Sequence, residues 1–190
     1  ENIPARVRRH IVRLSRADKV SRAKDNYLMQ IILSDAELER CKKCAAIRTN
    51  NARNNGVPNQ RVASDKSDLT VDYIGLVGEL AVAKYLDVEV ELEKVGADNG
   101  IDLIYGDLTV DVKTRSYPGN DLVFKSHKAF KAQVAILARF KRENCVDILG
   151  CMSRNKFKQH ATPTHYGCLS VSEEHLYPIE SLISYTQENV

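Results

Sequence analysis

Tryptophan is absent, and only four phenylalanines occur among the 190 residues, with aromatics at 6% in all. A base-stacking platform of the kind that single-stranded nucleic acids use has little material here. Glycine (9) and proline (5) are sparse, which excludes collagen-like and low-complexity chains. No apolar run approaches the length of a membrane span, and the N-terminal ENIPARVRRHIVRL lacks the continuous apolar stretch of a signal peptide. No Walker A loop, GxSxG elbow, GxGxxG or HNH-like pattern is present, so ATP- or NAD-dependent chemistry has no foothold. Five cysteines are too few, too scattered and odd in number for a secreted disulfide framework. Cys41 and Cys44 form a CKKC that invites a zinc site. No second CxxC or HxxxH accompanies it, and SDAELERCKKCAAIR reads as one helix carrying two reduced thiols. These absences together favour a cytoplasmic protein with no membrane partner.

Charge of one sign is also lacking overall: 28 Lys and Arg against 25 Asp and Glu leave +3. The distribution is less even. Residues 1–70 carry +7 and residues 71–190 carry −4. Residues 1–24 alone hold eight Lys/Arg against two acidic residues, the pattern of an arm that faces a polyanion. Arg8, Arg9 and Arg13 are its candidate DNA contacts. The alternative is a solvated helix that packs or dimerises through Ile3, Val7, Ile11 and Leu14.

The spacing predicts a basic helical extension over 3–32 and a second helix from the capping box Ser34-Asp35-Ala36-Glu37 to about Asn50. A polar linker or loop follows over 51–70. The chain therefore divides into an arm with linker, 1–70, and a core domain, 71–190. Within the core a helix covers 72–86. Strand-like runs follow at 88–95, 101–105, 108–114 and 121–125. Residues 128–140 are ambiguous, ending as the buried strand QVAILARF. A strand at 145–151, a helix from Ser153 to His160, one strand near 167–171 and a few turns complete the chain. The class is mixed α/β, a sheet flanked by helices.

The chemistry concentrates in Ile101–Thr114. Gly106-Asp107 between two alternating runs signals a tight hairpin that pairs Tyr105 with Leu108, Leu103 with Val110 and Ile101 with Val112. One face is then apolar. The other sets Asp102 opposite Asp111, with Lys113 two residues further on. Facing carboxylates repel unless something positive sits between them. A divalent cation such as Mg²⁺ does this well, and a solvated face with an Asp–Lys pair is the competing reading. In the helix DYIGLVGELAVAKYL, Glu79 shares an apolar stripe with Gly75, Leu76, Val82, Ala83 and Leu86, where a carboxylate rarely stays unless paired or bound to metal. Gly75 and Gly78 leave room for another backbone.

Glu79 on a helix, then Asp102, then Asp111-Val112-Lys113, resembles the PD-(D/E)xK signature of the restriction-endonuclease-like nuclease superfamily, in particular its small phage and prokaryotic members. Ile101 replaces the proline of the motif's name. The resemblance spans about 71–160. It implies a restriction-endonuclease-like core with an N-terminal helical extension, and a Mg²⁺-dependent DNA endonuclease, Mn²⁺ substituting, that leaves 5′-phosphate and 3′-hydroxyl ends. Asp102, Asp111 and Glu79 would then hold the metal and Lys113 the attacking water or the developing charge. Arg115, Ser116, Lys125, Lys128 and Lys131 would contact phosphates of double-stranded DNA, and Gln133 would support the site. The setting would be the cytoplasm, the host's if the protein is phage-encoded, and a homodimer would suit the cutting of both strands. A Holliday-junction resolvase-like nuclease, an exonuclease, or a catalytically silent DNA-binding or assembly module are the alternatives.

Overall fold

In a computed structural model of the chain, the described residues are 29–54, 66–93, 100–116, 121–142 and 144–188. Strand β1 (Met29–Ile32) leads into helix α1 (Asp35–Asn54), and helix α2 (Asp68–Leu86) follows. Strands β2 (Leu103–Tyr105), β3 (Leu108–Ser116), β4 (Asp121–Phe124), β5 (Val134–Arg142) and β6 (Cys145–Ser153) come next. Helix α3 (Arg154–His160), strands β7 (Thr162–Pro163) and β8 (Leu169–Ser172), and helix α4 (Ile179–Glu188) close the order. The fold is mixed α/β.

A five-stranded sheet runs β1-β6-β5-β3-β2, with β3 and β5 parallel and the other pairs antiparallel; β4-β8-β7 forms a second, smaller sheet. Side-chain alternation along β3 and β5 sends Val110, Val112, Ile136 and Ala138 to one face, where α2 covers them with α1 packed on α2. The opposite face sends Ala135 and Leu137 into a second cluster with Leu122, Phe124, Phe130 and Phe157. Asp111 and Lys113, each one residue on from Val110 and Val112, follow the second face.

Local chemistry sets the helix boundaries. At α1, Ser34 Oγ accepts from the Glu37 N–H (3.3 Å) while the Glu37 carboxylate accepts from the Ser34 N–H (2.6 Å), the capping box read from the sequence. Ser67 caps α2 by accepting from the Thr70 N–H, and Asp87 ends it in the left-handed conformation. Gly78 is required on α2, because a Cβ there would stand 1.8 Å from Thr114 Oγ1 and 2.8 Å from Thr114 Cβ. The helix can lie on β3 only where that side chain is missing.

Several expectations change. Residues 29–32 belong to a strand, not the end of a helical arm: Met29–Ile32 pair with Cys145–Ile148 on β6, and so short a segment is decided by its partner rather than by its period. Ile31, Leu33, Cys41, Cys44 and Ala45 join the same buried cluster as Leu76, Val82 and Val110, so the packed core begins well before the boundary expected at residue 70. Helix α1 runs to Asn54 and α2 starts at Asp68, which shortens the interval between them. Residues 88–93 form turns and irregular backbone rather than a strand. The tail carries helix α4, which packs on β6. Arg8, Arg9 and Arg13, and with them the basic arm of 1–24, lie outside the described residues. No helix among the described residues is long and apolar enough to cross a membrane.

Candidate functional site

The hairpin forms with the expected register over Leu103–Val110, Ile104–Thr109 and Tyr105–Leu108, Gly106 supplying positive φ at the turn. The ladder stops at Leu103. Just before it, the Asp102 N–H donates to Val110 O (2.8 Å), and the Asp102 carboxylate turns back to accept the Val112 N–H at 2.6 Å. Asp102 thus replaces a strand backbone as the acceptor for β3 and is held beside Asp111.

Asp111 is 1% exposed and its carboxylate accepts from Lys113 Nζ. The Lys113 ammonium also lies 5.1 Å from the centre of the Phe124 ring, a cation–π contact that fixes its other side. On the helical side, Glu79 is buried and faces Arg48 of α1, whose two terminal nitrogens donate to its two oxygens at 3.3 and 3.4 Å. Arg48, Glu79 and Asp102 line one cleft of about 470 Å³.

Electrostatics tie these groups together. Burial pushes the Asp102 carboxyl up to about 8 from an ordinary 3.8, and the negative charges of Glu79 and then Asp111 push the same way, against the Val112 N–H and Lys113. Glu79, Asp111 and Lys113 therefore all bear on the Asp102 ionisation. Among the described residues no three His, Cys, Asp or Glu side chains stand together as a metal cage. The reason is visible in the ion pairs: Glu79 is drawn to Arg48 and Asp111 to Lys113. A buried carboxyl flanked by two carboxylates is a position that a cation would favour, and Mg²⁺ is commonly held by one or two carboxylates plus waters and phosphate oxygens. Asp102 and Asp111 fit that donor set. Glu79 fits it only once Arg48 lets go.

The outlying residues separate into three groups. Arg115 follows Lys113 on the same side of β3 and donates from Nε to Asp121 O (3.1 Å), while the Ser116 hydroxyl accepts from Lys66 Nζ. Lys125, Lys128 and Lys131 are exposed on the β4–β5 connection. Gln133 does not reach the carboxylates; its Oε1 accepts from the Thr109 N–H (2.9 Å) and it pins the start of β5 to β3. It meets β3 at Thr109, two residues before Asp111.

Sequence reasoning missed Arg48. Its signal was present: Cys41, Cys44, Ala45 and Arg48 share one helical face, and the first three are buried. A lone arginine on such a face requires an acidic partner, as Glu79 did on α2. It also missed Phe124, whose role depends on the second sheet. Cys41 and Cys44 are buried free thiols on α1, and burial, then Cys44, then Glu79 raise Cys41 to about 11. No family model matches the chain, and no curated protein matches it in sequence, so geometry carries the functional reading.

Proposed function

We propose that the protein is a divalent-metal-dependent deoxyribonuclease of the PD-(D/E)xK kind, built on a restriction-endonuclease-like core and hydrolysing phosphodiester bonds to leave 5′-phosphate and 3′-hydroxyl ends. The observation that carries this reading is the local geometry: the Asp102 carboxylate accepts the Val112 N–H between Asp111 and Lys113, Asp111 accepts from Lys113, and Asp102 lines one cleft with Glu79. The order of elements supports it: a helix bearing Glu79, then an antiparallel pair bearing Asp102 and Asp111-Val112-Lys113, then a strand parallel to β3.

Asp102 and Asp111 would hold Mg²⁺ or Mn²⁺, with Glu79 joining through water or directly. When bound, the ion supplies Lewis acidity and a water of lowered pKa. The protein's own contribution is positional. The Val112 N–H fixes the Asp102 carboxylate at 2.6 Å. Phe124 and Asp111 hold the Lys113 ammonium between them, where it can orient a water by hydrogen bonding and offset charge developing on phosphate oxygens. Arg48 holds the Glu79 carboxylate in the cleft by pairing with both of its oxygens.

Cleavage of linear, circular and branched DNA in Mg²⁺, Mn²⁺ or EDTA tests the reading, beside Asp111→Ala and Lys113→Ala. Metal-dependent cutting by the wild type alone is the expected result. Equal cutting by all three proteins removes the site assignment. Intact DNA binding without cutting of any substrate supports instead a catalytically silent DNA-binding module.

A further inference from the structure

Helix α3 carries Arg154, Lys156 and Lys158, and the β4–β5 connection carries Lys125, Lys128 and Lys131. The two segments are joined. Arg154 Nη1 donates to Lys131 O at 2.8 Å, and beneath them Phe157 of α3 packs edge-on against Phe124 and Phe130, with ring centres 5.1 and 5.5 Å away. The Phe157 ring thus anchors the segment that carries three of these cations against the segment that carries the other three. No Asp or Glu occurs anywhere in 122–142 or 148–172. Among the described residues, none of the six pairs with a carboxylate. Several other cations among the described residues do meet carboxylates: Arg40 meets Glu93, Lys84 meets Glu37, Arg48 meets Glu79 and Arg139 meets Asp147. The six cations thus stand on two joined segments that hold no acidic residue.

The cluster also borders the candidate site. Phe124, on which the Lys113 ammonium rests, is stacked on Phe130 at 4.3 Å. On the other side, a Cβ at Gly100 would stand 3.8 Å from Asp111 Oδ2 and 3.9 Å from Ala129 O. The Lys128–Lys131 segment thus stands one glycine away from the buried aspartate.

The geometry points to a phosphate-backbone docking surface for duplex DNA, formed by α3 and the β4–β5 connection, which leads the strand toward Asp111 and Lys113. It rests on the proposed nucleic-acid substrate and names the surface that carries it. Phe124, Phe130 and Phe157 are all buried. They can neither stack on bases, as single-strand binding needs, nor enter a bilayer, as an interfacial helix does. Exposed lysines over a covered apolar floor suit a stiff rod of phosphates, where each contact releases counterions.

Fluorescence anisotropy with a labelled duplex in EDTA, as a function of salt, tests this without cleavage. Lys128→Ala/Lys131→Ala and Lys156→Ala/Lys158→Ala should each weaken binding at least about tenfold near 0.1 M salt and lower the log–log salt slope by about 2. Lys42→Ala/Lys43→Ala on α1, which removes the same net charge from exposed positions, should change both far less. Wild-type affinity in both patch variants, or an equal loss in the α1 control, overturns the surface. So does tighter binding to single strands or to phosphatidylserine vesicles than to duplex. Patch-dependent binding by a wild type that cuts nothing would remove the nuclease reading and keep the surface. Cutting with patch-independent binding would do the reverse.

Discussion

Two sets of buried carboxylates occupy opposite ends of the same sheet, and they are treated differently. At one end Asp147 is fully buried on β6 and meets three donors: Gln30 Nε2 at 3.2 Å, Arg139 Nη2 at 3.0 Å and Lys141 Nζ at 2.8 Å. Arg139 reaches on to buried Glu173 at 4.0 Å, so each acid at this end faces a cation. At the other end Glu79, Asp102 and Asp111 share Lys113 and Arg48, and burial, reinforced by the charges of Glu79 and Asp111, raises the Asp102 carboxyl to about 8. Burial alone does not mark a functional acid. A buried acid whose neighbours repel it is one that the fold keeps at a cost.

The contrast can be broken by substitution, and the largest effect belongs to the Asp147 end. Asp147→Ala leaves Arg139 and Lys141 facing an empty acceptor, and should cost about 3–5 kcal/mol in chemical denaturation. At the Asp102 end Lys113→Ala should leave the fold intact and lower the cleavage rate by about 10²–10³-fold in Mg²⁺, read by single-turnover kinetics. Gly78→Ala tests the frame between them. The new methyl meets Thr114, whose β-branched side chain has little freedom to yield, and the melting curve should report a loss of about 1–3 kcal/mol.

Asp102→Asn should move stability the other way. Because the folded-state value exceeds the ordinary 3.8, the native metal-free protein holds a proton that the unfolded chain releases. Stability is then full below pH about 4 and declines as pH rises toward about 8. Denaturation midpoints of the wild type in EDTA should show this fall, and the Asn variant should show less of it while being more stable at pH 8. A variant no more stable at pH 8 would refute the repulsion argument. Ser34→Ala, remote from both acid sets, should cost only about 1 kcal/mol through the lost cap.

Wherever local geometry decides the outcome, the chain was legible. The Gly106-Asp107 turn and its register follow from alternation and turn chemistry, and Ser34 and Ser153 cap helices as their sequence neighbours imply. Glu79 on an apolar stripe announced a partner. The identity of that partner was not readable, because Arg48 lies 31 positions away on another helix. β1 was illegible for a similar reason: MQII acquires strand character from β6, more than a hundred residues downstream. α4 was missed although ESLISYTQ carries a helical apolar pattern, its covering sheet being out of view.

Sequence alone therefore determined the class, the hairpin, the acidic set Glu79, Asp102 and Asp111 with Lys113, and the uneven spread of charge, since each depends on period, turn residues or composition. Tertiary structure decided what those charges face. Pairing of Arg48 with Glu79, the Phe124 ring under Lys113, and the joining of α3 to the β4–β5 connection all bring together residues distant in the chain. Coulombic attraction and burial act through space, and only the packed sheet sets those distances.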